Sequence, residues 1–346
     1  MKRINPGLAV ALLTLAAASS IVLKSPNESA DAQDVETGFR PLVAQMETLL
    51  QTHHFNRDAL QGEHYDNTLA ALYALAETAP DQEAFLNGFR TVWAEGPFSH
   101  VNLMPSNNTA AEISAYFDAM NVGPDATDLS FVDNIAVLSV HTMMGQDTVR
   151  FIETAFEEIV AHAPDALIID LRRNEGGAFA MRPTVSGVIE NPVDAGYFIS
   201  RRWTDHNEHQ PTRADIVALD PWTGWSVREF WDAVIEEVVI RVRFQPSDTV
   251  YRGPVYVLTS EATASAAEMA VEALQAAGRV QVIGEPTAGQ MLSQRPFDLD
   301  GGFLLFLPIA DYYSLNTGQI EGHPIQPDIR VDADQALARA MELARE

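Results

Sequence analysis

The chemistry in this sequence begins at Ser265. The residue stands between a short β-branched run, Val255 to Leu258, and an Ala-rich segment, Ala266 to Ala277, that Gly278 stops. A serine at a helix start feels the positive end of the helix, and the following amide, that of Ala266, has no partner within the helix. A hydroxyl beside an unused backbone donor is what acyl transfer needs, a nucleophile next to a group that can hold an oxyanion. The same residues, Ser265-Ala-Ala-Glu268, also spell a capping box, in which the hydroxyl satisfies orphan N–H groups and performs no chemistry. Taken alone, the stretch leaves both readings open.

Two further places carry reactive residue types. His100, preceded by Ser99, lies where a Gly-Pro turn meets an extended run. A lone histidine there is either a base or a surface residue. Gly176-Gly177 follow a buried apolar strand, where paired glycines bring N–H groups close to a ligand or simply turn the chain. Neither GxGxxG nor a Gly-Lys-Ser/Thr element is present, so the turn is not a dinucleotide or P-loop site. His206 and His209 are three apart in a loop, a weak metal pattern. His53, His54 and His64 fall at helix ends, where solvated or capping roles are the expectation. No metal or other cofactor is implied.

The elements that must position these residues read as α/β. Ile135–Val140 and Ala166–Leu171 are apolar strands flanking an amphipathic helix, Thr148–His162; Val255–Leu258, the Ala-rich helix and Val280–Ile283 repeat the order. That alternation is a parallel α/β layer. Tyr197–Trp203 and Phe303–Pro308 read as further strands, and Asp334–Arg345 as a closing helix. Ahead of them, 3–4 spacing in Phe39, Leu42, Met46 and Leu49, and again in Leu69, Leu72, Leu75 and in Phe85, Phe89, Val92, predicts a helical N-terminal subdomain. The division is residues 33–97 for that subdomain and 98–346 for the core. Residues 204–236, with Trp222, Trp225 and Trp231, read as an insertion able to fold over a site.

Composition narrows the functions. A net charge of −26 argues against a nucleic-acid partner, and the absence of cysteine excludes disulfides, thiol nucleophiles and thiolate metal sites. The only lysines are Lys2 and Lys24. Both lie in a leader-like start, a basic Lys2-Arg3 followed by the mostly apolar Leu8–Leu23, with small residues offering cleavage sites. Residues 1–32 therefore read as a signal peptide and linker, and the chain as exported, periplasmic or secreted. Sixteen apolar residues are short for a membrane span, which needs about 20, so no stable membrane insertion is expected after leader cleavage, an uncleaved anchor being the alternative.

Four segments together resemble the C-terminal-processing, or tail-specific, serine peptidases and their tricorn-type relatives. They are Asp170-Leu-Arg-Arg-Asn-Glu-Gly-Gly177, Thr263-Ala-Ser-Ala-Ala-Glu268, Gly284-Glu-Pro-Thr-Ala-Gly289 and Glu321-Gly-His-Pro-Ile-Gln-Pro-Asp328. Their order and spacing agree over roughly residues 95 to 335. The resemblance implies a crotonase-like (ClpP-like) ββα-type core, a peptide or protein substrate, and Ser265 as nucleophile. It also implies oxyanion donors at Ala266 and in the Gly176-Gly177 turn. One departure matters: the lysine that serves as base in the processing peptidases falls at position 290, which is Gln290 here, a vestigial lysine position. An amide is no base near neutral pH, and no other lysine follows residue 24, so a Ser–Lys dyad is excluded. The tricorn-type branch implies the replacement: His100 as base near its ordinary pKa of ~6.5, with Ser99 and Glu321 behind it. A PDZ module, which would need ~80 residues, does not fit between His100 and the core strands that begin near Phe131. The readings in competition are a ligand-binding relative without activity and an esterase or other acyl hydrolase.

Overall fold

The computed structural model describes residues 38–207 and 209–346; the leader-like segment lies outside them. Three helices come first: α1 (Arg40–His53), α2 (Glu63–Thr78) and α3 (Gln82–Ala94). Leu42, Val43, Met46 and Leu50 form the buried stripe of α1, and the Asp81 carboxylate caps α3 by accepting from Ala84 N–H at 2.8 Å. These helices bury their apolar faces in the same core cluster as the sheets, so the N-terminal region is docked on the core rather than closed on itself. His54 corrects the expectation of a solvated helix end. It is fully buried against Phe55 and Phe98, at ring-centroid distances of 4.7 and 4.1 Å, and burial pushes its pKa down to about 4.

The remaining elements follow as β1 (Asn102–Pro105), α4 (Ala110–Ala119), β2 (Thr127–Val132), β3 (Ile135–Val140), α5 (Gln146–His162), β4 (Ala166–Asp170) and α6 (Met181–Ser186). Then come β5 (Val193–Ser200), α7 (Arg201–Thr204), α8 (Arg213–Val217), α9 (Val227–Glu236), β6 (Val239–Phe244), β7 (Val255–Thr259) and α10 (Ala266–Ala276). The chain closes with β8 (Gln281–Gly284), β9 (Leu292–Leu299), β10 (Phe303–Ser314), β11 (Gly318–Gln319), β12 (Ile329–Arg330) and α11 (Ala333–Leu343).

Two sheets result. The first runs β12-β8-β7-β4-β3-β2 and is parallel except for the β2–β3 pair. Its middle strands read as unbroken apolar runs because helices cover both faces: β4 is flanked by a large cluster on one side and by α11 on the other. The second sheet is antiparallel, β1-β10-β5-β6, with β9 and β11 also on β10.

Two strand expectations change. The strand expected over Tyr197–Trp203 ends at Ser200, where the chain turns into α7 and lets Arg201 and Arg202 donate to the carbonyls of Gln51 and Glu236. The strand expected over Phe303–Pro308 runs on to Ser314, past a register shift between Pro308 and Ala310. Pro308 has no N–H to give the ladder, and a bulge absorbs it.

Candidate active site

The parallel sheet delivers two loops to one place. After β4, Asp170 locks Arg172 in a bidentate pair, with contacts of 2.9 and 2.6 Å. The chain then turns through Asn174, Glu175, Gly176 and Gly177. After β7, Ser260 Oγ donates to the Arg172 carbonyl at 2.5 Å and Thr263 Oγ1 to that of Leu171 at 2.9 Å, which ties the second loop to the first. Ala264 N–H closes the seam by donating to the Asn174 carbonyl at 3.0 Å. The buried Asn174 side chain braces the turn from inside, donating to Val140 O and accepting from Gly176 N–H, both at 2.9 Å.

Ser265 follows at the start of α10 with φ 56° and ψ −124°. A capping serine adopts extended φ/ψ; this backbone is one that favours glycine, at a cost of roughly 1–3 kcal/mol. The Glu268 half of the capping box is made, the carboxylate accepting from Ser265 N–H at 3.0 Å, but no hydrogen bond fixes the Ser265 hydroxyl as a cap. Glu268 also accepts from Thr287 Oγ1 at 2.5 Å and from the N–H groups of Gly289 and Gln290 at 2.8 and 2.9 Å. It bolts the 287–290 loop to the serine turn. Burial pushes its pKa up while these four donors pull it down, and the net direction is upward.

Gly176 must be glycine. Its φ is +94°, and a Cβ there would lie 2.6 Å from Ser265 Cβ and 2.7 Å from Ala264 O. Of the candidate oxyanion donors, Gly176 N–H is taken by Asn174. The N–H groups of Gly177 and Ala266 have no protein acceptor among the described residues.

His100 reaches the same cavity, about 220 Å³, which Ser265, Ala266, Gly177 and Gln290 also line. It too is held at positive φ, +60°. Its Nδ1 lies 2.6 Å from Ser99 Oγ. Burial lowers its pKa below the ordinary 6.5, and the charge of Glu321, acting across the β10–β12 region, pulls it partly back. Glu321 Oε2 accepts from Met291 N–H at 2.8 Å, directly after Gln290. Gln290 itself accepts from Ser265 N–H through its carbonyl at 3.0 Å, so position 290 adjoins the serine. Five segments far apart in sequence, residues 99–100, 174–177, 264–268, 287–291 and 321, therefore converge here.

The family model of peptidase family S41 matches residues 134–331, more than half of the chain. The chain belongs to peptidase family S41. It is 26% identical over 189 residues to carboxyl-terminal-processing peptidase 3 of Arabidopsis thaliana, a match covering 55% of this chain and 30% of that protein. To the carboxyl-terminal-processing protease of a Picosynechococcus species it is 24% identical over 226 residues, covering 65% and 46%. The chain thus spans less than half the length of these curated relatives. The crystal structure of a Parabacteroides merdae protein shares the fold with a TM-score of 0.62 at 18% identity, covering 89% of this chain and 97% of that one.

Within the S41 segment, two side chains at the site carried no role in the sequence reading, and one of them had a signal there. Asn174 sits inside the Asp-Leu-Arg-x-Asn-x-Gly-Gly element. Arg182, which lines the cavity, had no signal, because its hydrogen-bond partners are carbonyls about 40 residues away, at Trp222 and Thr223. The 204–236 segment does reach the cavity: Trp222, Val227, Phe230 and Trp231 form part of its wall.

Proposed function

We propose that this chain is an exported serine peptidase of the tricorn-type branch, on a crotonase-like core, in which Ser265, His100 and Glu321 act together. Neutral His100 takes the Ser265 Oγ proton as that oxygen bonds to the peptide carbonyl carbon. The N–H groups of Ala266 and Gly177 hold the resulting oxyanion. Collapse breaks the C–N bond, and the imidazolium gives its proton to the leaving amine. Water then repeats the sequence on the acyl-enzyme and releases the acid. Ser99 and Glu321 orient the ring and favour the imidazolium as it forms.

The observation that carries this reading is the backbone of Ser265, strained, uncapped and turned beside two unused amides. A cap has no use for that conformation. Residues 1–32, beyond the described part, carry the expectation of export to a periplasm or the medium. The apolar cavity wall favours one rival, a ligand-binding relative without activity, and an esterase would use the same machinery. Treating the mature protein with a fluorophosphonate and mapping the label separates hydrolase from binder. Labelling confined to Ser265 and lost in Ser265→Ala is the expected result. A wild-type protein that takes no label contradicts it.

A further inference from the structure

The cavity beside Ser265 is walled by large apolar side chains, among them Phe179, Phe198, Trp222, Phe230, Trp231 and Met269. Two guanidinium groups, Arg182 and Arg243, face it against a single carboxyl, Glu175. In a chain of net charge −26 the excess of cations at this one place is conspicuous.

Arg182 lies over two rings, 4.6 Å from the Trp225 centroid and 5.2 Å from that of Phe179. Its terminal N–H groups donate only to backbone carbonyls, Thr223 at 3.1 Å and Trp222 at 3.4 Å. Among the described residues it pairs with no carboxylate, and burial without a compensating anion pulls its pKa down to about 10. Arg243 is only loosely balanced. Arg241 already holds Asp194 Oδ1 at 2.5 and 3.0 Å, which leaves Arg243 Nε at 3.8 Å from that oxygen and without a hydrogen bond. A partly desolvated guanidinium costs free energy until an anion reaches it, and its planar fork matches a carboxylate. Stacking on two rings fixes the direction in which that fork points.

We propose that this cavity selects peptides presenting a large apolar side chain next to a carboxylate, and that Arg182 binds the carboxylate. The inference rests on the peptidase reading for the consequence, cleavage, but the recognition itself is a binding property. The carboxylate has two possible sources, the end of the peptide chain or an acidic side chain beside the apolar residue.

Calorimetric titration of the Ser265→Ala protein tests this without turnover. Four eight-residue peptides in an Ala/Gly background suffice. One has Phe beside a free C-terminal carboxylate, one is the same peptide amidated, one is amidated with Asp beside Phe, and one is the free acid with Ala for Phe. The first or third peptide binds about tenfold or more tightly than the neutral amide, the effect of one charge-assisted contact. Which of the two does so identifies the source. Replacing Phe by Ala weakens binding by a similar factor. Arg182→Gln in the Ser265→Ala background removes the acid-over-amide preference. If Arg182→Gln does not fold, Arg182→Lys, which keeps the charge and loses the fork, shrinks the preference. Equal binding of acidic and neutral peptides, or a preference unchanged in the Arg182 variant that folds, overturns the proposal and leaves the peptidase reading standing. Absent fluorophosphonate labelling of the wild type does the reverse.

Discussion

At the scale of single residues, the site is defined by backbone that its side chains would not choose. Ser265 and His100 are two of the five non-glycine residues with positive φ among the described ones. Strain at such positions persists only when the surroundings over-determine it. At Ser265 they do: its N–H is shared by Gln290 O and Glu268, and Gly176 leaves no room behind it. If the backbone rather than the hydroxyl holds the strain, then Ser265→Ala keeps it and Ser265→Gly releases it. Chemical denaturation is expected to rank Ser265→Gly more stable than Ser265→Ala by on the order of 1 kcal/mol, the reverse of the usual helix-start order. Equal stabilities, or Ala the more stable, would mean that the turn is relaxed. Ser265 was legible in the sequence as a residue able to do chemistry, but not as a strained one. Strain depends on Gln290, Glu268 and Gly176 arriving together, and nothing local to Thr263–Glu268 reports that.

At the scale of elements, the strands and helices of the parallel layer were the most legible part of the chain. The runs Ile135–Val140 and Val255–Leu258 are apolar because both sheet faces are covered, and the helix between Ala266 and Gly278 follows from its alanines and its stop. The antiparallel sheet was less legible. The length of β10 is set by partners on both edges, β9 and β5, and a proline inside it reads locally as an end. The Gly176-Gly177 turn was ambiguous for a related reason. Its function depends on which N–H is already used, and Asn174 decides that by taking Gly176. The donor left over is Gly177, where φ is +141° and a Cβ would lie 2.5 Å from Met144 N and 2.6 Å from the Met143 carbonyl carbon. Gly177→Val is expected to lower kcat by about 100-fold or more, the effect of losing one oxyanion donor. Steady-state kinetics well below the unfolding temperature check this. A change confined to KM would make the turn a binding surface only.

At the scale of the whole molecule, the active arrangement exists only because the fold brings residues 99–100, 265 and 321 to one cavity. The sequence supplied these positions through resemblance to a family, and their relation through nothing else. His100 stands near the N-terminal helices, Ser265 on the parallel sheet and Glu321 beyond β11. The electrostatic link between His100 and Glu321 also fixes the sign of the pH response. A base must be neutral to work, so activity falls as pH drops through its pKa. Burial disfavours the imidazolium and places that pKa below the ordinary 6.5, and Glu321 opposes the shift. Removing the Glu321 charge must therefore carry the pKa lower still. The measurement that tests the account most directly is the pH dependence of kcat/KM for the wild type beside His100→Ala and Glu321→Gln. The wild type is expected to lose activity only below pH ~6.5, and Glu321→Gln to turn over more slowly with its acid limb moved to lower pH. His100→Ala is expected to lose about 10³-fold or more and to show no such limb. An unchanged rate and profile in His100→Ala, or an acid limb that moves upward in Glu321→Gln, would contradict the assignment of His100 as the base that Glu321 supports.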